Sequence, residues 1–223
     1  MAAATPRTAP PERRPDVALA AVRRGRAGFD AVREAALGCQ ACDLWARATQ
    51  TVFGSGPVPA RLMLIGEQPG DREDIEGEPF VGPAGTILAR ALEQAGIDRE
   101  QAFVTNVVKH FKWRPSGKRR LHERPNRTEV GACLPWVESE LALVKPEAVV
   151  LLGATAATAL VGDPDFSVMR SRGRPLDLPI ARRVIATVHP SSILRAGSGR
   201  EAAYDAFVRD LVGVARWLGE AAA

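Results

Sequence analysis

Four short runs of Val, Ile, Leu and Ala punctuate the chain, at Leu62–Gly66, Ala102–Val107, Ala148–Leu152 and Val184–Val188. Each is apolar at nearly every position, the pattern of a strand covered on both faces rather than one with a wet side. Between them, apolar positions recur with helical spacing over about Pro83–Ala95, Thr128–Val144 and Ala154–Leu160, and after the last run over Ala202–Leu218. An earlier helical stretch, Ala18–Leu37, stops at Gly38, a natural C-terminal residue. Strand and helix in alternation predict an α/β fold. We expect a single-domain, three-layer α/β/α sandwich around a central, mostly parallel four-stranded sheet, which takes its ligands beyond the carboxyl ends of the strands. Residues 1–16, rich in Ala, Pro and Arg without periodicity, read as a flexible tail, leaving 17–223 as one domain.

Composition narrows this picture only a little. The 223 residues are 46% hydrophobic, enough for a real core, and the net charge of +4 makes a polyanion such as nucleic acid a reasonable partner. No apolar run is long enough to span a bilayer and the first residues lack the apolar core of a secretory signal, so a cytosolic protein is expected. Three cysteines, Cys39, Cys42 and Cys133, form an odd set that points to reduced thiols or metal ligands rather than disulfides.

The chemistry-bearing residues collect behind the strands. Gly66-Glu67-Gln68-Pro69-Gly70-Asp71 follows the first and runs on through Asp74 to Phe80-Val81-Gly82-Pro83-Ala84-Gly85, where small residues let a backbone approach a ligand. Thr105-Asn106 closes the second strand, and His189-Pro190-Ser191-Ser192 follows the fourth. Taken alone, His189 is better explained by a structural role. Taken together, and in this order and spacing, these motifs resemble the family 4 iron-sulfur uracil-DNA glycosylases, from about Cys39 to Leu211.

That resemblance implies a pocket in which Gly66 and Phe80 frame an extruded uracil and Asn106 reads its edge. His189, with Ser191 beside it, would stabilise the departing uracil anion. Glu67, Gln68, Asp71 and Asp74 would line the opposing turn, where a carboxylate would stabilise the cationic sugar or act as a base; the sequence does not rank them. It also implies a 4Fe-4S cluster on Cys39, Cys42, Cys133 and a fourth ligand. The family's remaining cysteine falls just after a lysine, where this chain has His110 after Lys109, so His110 is the expected ligand, with an ordinary loop histidine and a zinc site as rivals.

Between Lys112 and Pro125 runs a basic loop whose Lys118-Arg119-Arg120-Leu121-His122 closely resembles the KRRIH signature of the UdgX subgroup. On the plainer reading Lys118, Arg119 and Arg120 neutralise phosphates and His122 faces solvent. On the UdgX-like reading Arg120 holds the loop shut and His122 attacks C1′ of the sugar, leaving a stable protein-DNA adduct. The resemblance further implies uracil-containing DNA as partner; single strands are the expected preference because flipping is cheapest where the base is unpaired, a monomer suffices for one flipped nucleotide, and the expected place is the cytoplasm, with the nucleoid in a bacterium. A hydrolytic uracil-DNA glycosylase and a non-catalytic, metal-containing nucleic-acid binder are the alternatives.

Overall fold

The computed structural model describes residues 14–220, the side chain of Glu220 excepted. Their strands are β1 (Leu62–Gly66), β2 (Ala102–Asn106), β3 (Trp113–Ser116), β4 (Arg119–His122), β5 (Ala148–Leu152) and β6 (Arg183–Thr187). Four of them form a parallel sheet in the order β2-β1-β5-β6, with Gly66 opposite Asn106 at the carboxyl end. The expected fold class and all four expected strands are therefore present, the last shifted back by one residue. The order reverses between β1 and β5, so the crevice beyond their ends is where an open α/β sheet offers a ligand site.

Alternation along the strands sorts the core into two layers. Leu62 and Leu64 of β1, Val104 of β2, Val150 of β5 and Ile185 of β6 face α4 (Pro83–Gln94) and α9 (Arg200–Glu220) through Leu88, Leu92, Phe207 and Leu211. Met63, Ile65, Phe103, Val149 and Leu151 point the other way, toward α1 (Arg14–Arg23), α2 (Phe29–Leu37) and α5 (Arg127–Val144), meeting Val22, Val32, Trp136 and Val137. Short helices α3 (Asp71–Glu76), α6 (Ala154–Val161), α7 (Val168–Ser171) and α8 (Pro190–Leu194) complete the described residues, and no helix among them is long and apolar enough to cross a membrane.

Two sequence expectations need correction. The helix expected over Ala18–Leu37 is broken into α1 and α2, because Gly25 takes a left-handed φ of 65° and Gly28 stands in extended conformation before α2. Of the expected tail, Arg14, Pro15 and Asp16 already belong to α1, and the rest lies outside the described residues.

The basic loop, too, is not irregular. Residues 113–122 form an antiparallel hairpin, with Trp113 opposite His122 at its neck and Ser116 opposite Arg119 at its tip. The two-residue turn is Gly117-Lys118, and Gly117 supplies the φ of 57° that a hairpin turn opening on glycine requires. Dense positive charge hid this turn in the sequence.

Candidate active site

Three turns meet above the carboxyl ends of the sheet. Glu73, buried on α3, accepts the backbone N–H of Gly70 at 3.1 Å and that of Gly82 at 2.8 Å, so one carboxylate ties the turn after β1 to the turn carrying Phe80. Phe80 adopts a φ of 60°, a strained conformation for a non-glycine residue. Its carbonyl lies where a side chain on Gly85 would stand, so only glycine permits this approach. A Cβ on Gly66 would likewise overlap the Asn106 side chain and come within 2.7 Å of the Phe80 ring, which makes Gly66 the bare floor between these two groups.

Asn106 is buried, and its Oδ1 has no hydrogen-bond partner. A buried acceptor left unmade costs about 1–3 kcal/mol, so this atom is set to receive an N–H from a ligand. Opposite it, the His189 ring lies near-parallel to Phe80, at 28° with centroids 6.0 Å apart. Ser191 donates its backbone N–H to His189 Nδ1 at 3.2 Å, and its hydroxyl lies 2.9 Å from the same nitrogen. That assignment leaves the proton on Nε2, a neutral donor; burial pushes the His189 pKa down to about 4, helped by nearby His122 and Arg195.

The acidic cluster that the sequence left unranked separates cleanly. Gln68 is a clamp on the hairpin neck: its amide donates to Lys112 O at 3.2 Å and Glu123 O at 3.0 Å and accepts from Lys112 N. Asp71 and Asp74 are each 2.5 Å from the Arg120 guanidinium, and fully buried Asp74 also accepts from Thr49. Arg120 lies, in addition, over the rings of Phe111 and Trp113. It fastens the hairpin to α3, as a loop latch would, through the two carboxylates, the Asp71 carbonyl and the Thr49 hydroxyl. Lys118 and Arg119 sit by the tip, solvent-exposed.

Glu67 is the carboxylate left facing the crevice. Its Oε1 stands 3.4 Å from His122 Nε2, and its Oε2 accepts a very short hydrogen bond from Thr155 Oγ1, with Arg124 4.0 Å away. Thr155 opens α6 just after β5, so this contact bridges the two strands flanking the crossover reversal. His122 is half exposed at the neck rather than the tip, and burial lowers its pKa below the usual imidazole value against the pull of Glu67.

The sequence reading missed Thr155 and Glu73. It named the ends of three strands and left β5 empty, although the switch-point rule points to that end. Glu73 stands three residues after Gly70, the local spacing of a helix cap, but its second bond, to Gly82, depends on two turns meeting.

The proposed metal ligands lie on separate elements. Cys39 follows α2 and accepts from Trp136 Nε1 at 3.3 Å, Cys42 precedes a short 3-10 turn at Asp43–Ala46, and Cys133 on α5 accepts from Lys109 N at 3.2 Å. Burial pushes the Cys133 thiol up to about 12, and both Cys39 and Cys42 add to that rise. His110 Nε2 lies 2.9 Å from Thr51 Oγ1, and burial takes its pKa down to about 4, opposed by Asp74. Among the described residues no three Cys, His, Asp or Glu side chains close tightly around a single ion. The chemistry of the donor set, three thiols and a neutral imidazole, nonetheless suits a soft iron-sulfur group.

Residues 53–212 match the family model of the uracil DNA glycosylase superfamily. The chain is 37% identical over 167 residues to a type-4 uracil-DNA glycosylase of Thermotoga maritima, covering 75% of this chain and 83% of that protein. It is 33% identical to one from Sulfurisphaera tokodaii, over 74% of this chain and 76% of that one, and 35% identical to one from Archaeoglobus fulgidus, over 77% and 85%. With a parallel sheet whose rim gathers Asn106, Phe80 and His189 and a family match over most of its length, this chain belongs to the uracil DNA glycosylase superfamily.

Proposed function

We propose that this protein excises uracil from DNA, preferring single strands, and that it keeps the product by bonding His122 to the abasic sugar. The observation that carries the excision reading is the buried, unpartnered Oδ1 of Asn106 beside Gly66 and Phe80. Uracil offers an N3–H to that acceptor and its O4 to the amide's N–H. Cytosine presents the reverse pair and would leave buried groups unsatisfied.

Cleavage of the N1–C1′ bond sends its electron pair to uracil, whose O2 and N1 share the charge. The neutral Nε2–H of His189 stabilises that anion where it develops, without a proton transfer being needed. C1′ is left electron-poor. Glu67, the carboxylate facing the crevice, stabilises the cation electrostatically, and Thr155 holds it in place.

His122 then supplies the bond that would otherwise go to water. Its lowered pKa keeps the ring neutral at pH 7, so one nitrogen carries a free lone pair. That lone pair bonds to C1′, the proton on the other nitrogen passes to Glu67, and the uracil anion takes a proton from solvent. Attachment of the hairpin by Gln68 at its neck and Arg120 at α3 supports a fixed rather than a roaming His122. Lys118 and Arg119 contribute phosphate contacts near the tip.

Cys39, Cys42, Cys133 and His110 would hold a 4Fe-4S cluster, which would tie α2, the segment after β2 and α5 together. Iron content and visible absorbance of the purified protein test this assignment, and His110→Ser should lower both.

A denaturing gel tests the function. Incubation with a uracil-containing oligonucleotide should give a heat- and SDS-resistant band that is absent with thymine; His122→Ala should lose the band while still releasing uracil. Release of uracil with no band in the parent would leave a conventional hydrolytic enzyme. No release at all would return the chain to a binding role.

A further inference from the structure

Beneath the pocket lies an ion pair that the chemistry above does not use. Lys109 Nζ and Glu140 Oε2 are 2.7 Å apart and both side chains are fully buried. The ammonium's other two protons are also placed, on Thr105 Oγ1 at 2.6 Å and on the backbone carbonyl of Asn106 at 2.9 Å. Thr105 hydroxyl donates to Glu140, whose Oε1 accepts from Gly54 N at 2.9 Å. Every donor of the ammonium is matched, and two of its three acceptors belong to Thr105 and Asn106.

Such a pair is a poor way to stabilise a core. Removing two charges from water costs as much as their attraction returns, and well-packed apolar residues would serve as well. What the network does achieve is to fix the last two residues of β2 from below. The peptide that leads out of Asn106 is held by its carbonyl, so the Cα–Cβ direction that aims the amide into the pocket is fixed too. Phe103 of the same strand and Phe53 wall the network from solvent, with Lys109 5.2 Å from the Phe53 ring.

We propose that Lys109 and Glu140 are positioning residues for Asn106, setting the recognition of the uracil edge from a site that never touches the base. This rests on the uracil-pocket reading above. Its consequence is that loss of the pair weakens uracil recognition out of proportion to stability.

The test compares the parent with Glu140→Gln and with the double variant Lys109→Met/Glu140→Leu, which replaces the pair by apolar residues of similar size. Thermal midpoint, iron content, uracil release and inhibition by free uracil are measured for each. We expect both variants to lose roughly tenfold or more in the single-turnover rate of uracil release at subsaturating DNA, with inhibition by free uracil weakened in parallel, while the double variant stays folded and keeps its iron, at a midpoint lowered by the Gly54 N–H and Asn106 carbonyl that lose their partners. A folded variant that releases uracil and is inhibited by it as the parent is would overturn the proposal. So would a loss that tracks iron content across the series, because the bond from Lys109 N to Cys133 would then carry the effect. If the double variant does not fold, Glu140→Gln decides alone. A parent that releases no uracil refutes the pocket reading instead, which separates the two failures.

Discussion

The rim of the sheet and the basic hairpin beside it are held by different means. At the rim, Asn106, Phe80 and His189 are aimed by backbone: parallel register, a left-handed Phe80, a glycine floor and a capping bond from Ser191. The hairpin is short, two-stranded and mostly exposed, and such a ribbon has little stability of its own. It is fixed by side chains reaching across to other elements, Gln68 to its neck and Arg120 to α3. On the proposed function, recognition sits on a rim held by backbone, and capture on a ribbon fastened by side chains. The two functions should therefore fail separately.

The largest expected effect is at the rim. Asn106→Ala should cut uracil release by roughly 10²–10³-fold and adduct formation with it, because no adduct forms without a departed base. Single-turnover release measured by gel checks this, and an adduct that survived the substitution would break the ordering of the two regions.

Unfastening the hairpin should do the reverse. Arg120→Ala removes the bonds to Asp71 and Asp74 and should lower the adduct yield by roughly tenfold while changing uracil release by about threefold or less. Partition between adduct and free abasic product reports the difference. Equal losses in both would mean that the hairpin also builds the uracil pocket.

Much of the rim was legible because strands and turns are written locally: four apolar runs, glycines at the close approaches, and His189-Pro190 behind the last strand. The hairpin was not. Its Ser116-Gly117-Lys118 turn is a sound local sign, yet six residues in ten between 113 and 122 read as polar or charged, and the strand pattern drowned. The partition of the carboxylates was out of reach for another reason. Only the fold brings Arg120 to Asp71 and Asp74, and Thr155 to Glu67, across 49, 46 and 88 residues of chain. Residue type offered four candidates; their partners left Glu67 facing His122.

Acidity should also separate the two regions. Attack needs the neutral imidazole, so adduct formation is lost as pH falls through the folded pKa of His122. Burial sets that pKa below the ordinary value of about 6.5, so the rate should be flat between pH 8 and 7 and decline only beneath about 6.5. His189 titrates near 4, and uracil release should therefore persist to lower pH than capture does. Stopped-time assays across this range would show two separate declines.

The smallest effect belongs to the tip. Lys118→Ala and Arg119→Ala should each flatten the dependence of DNA affinity on log salt by about 0.7, the value for one phosphate contact on a single strand, and leave the adduct yield at saturating DNA unchanged.

The most direct measurement is the intact mass of the protein after incubation with a uracil-containing oligonucleotide, followed by peptide mapping. We expect a species equal to protein plus oligonucleotide less one uracil, with the bond on His122. Free abasic oligonucleotide beside unmodified protein, or a bond mapped to any other residue, would contradict it.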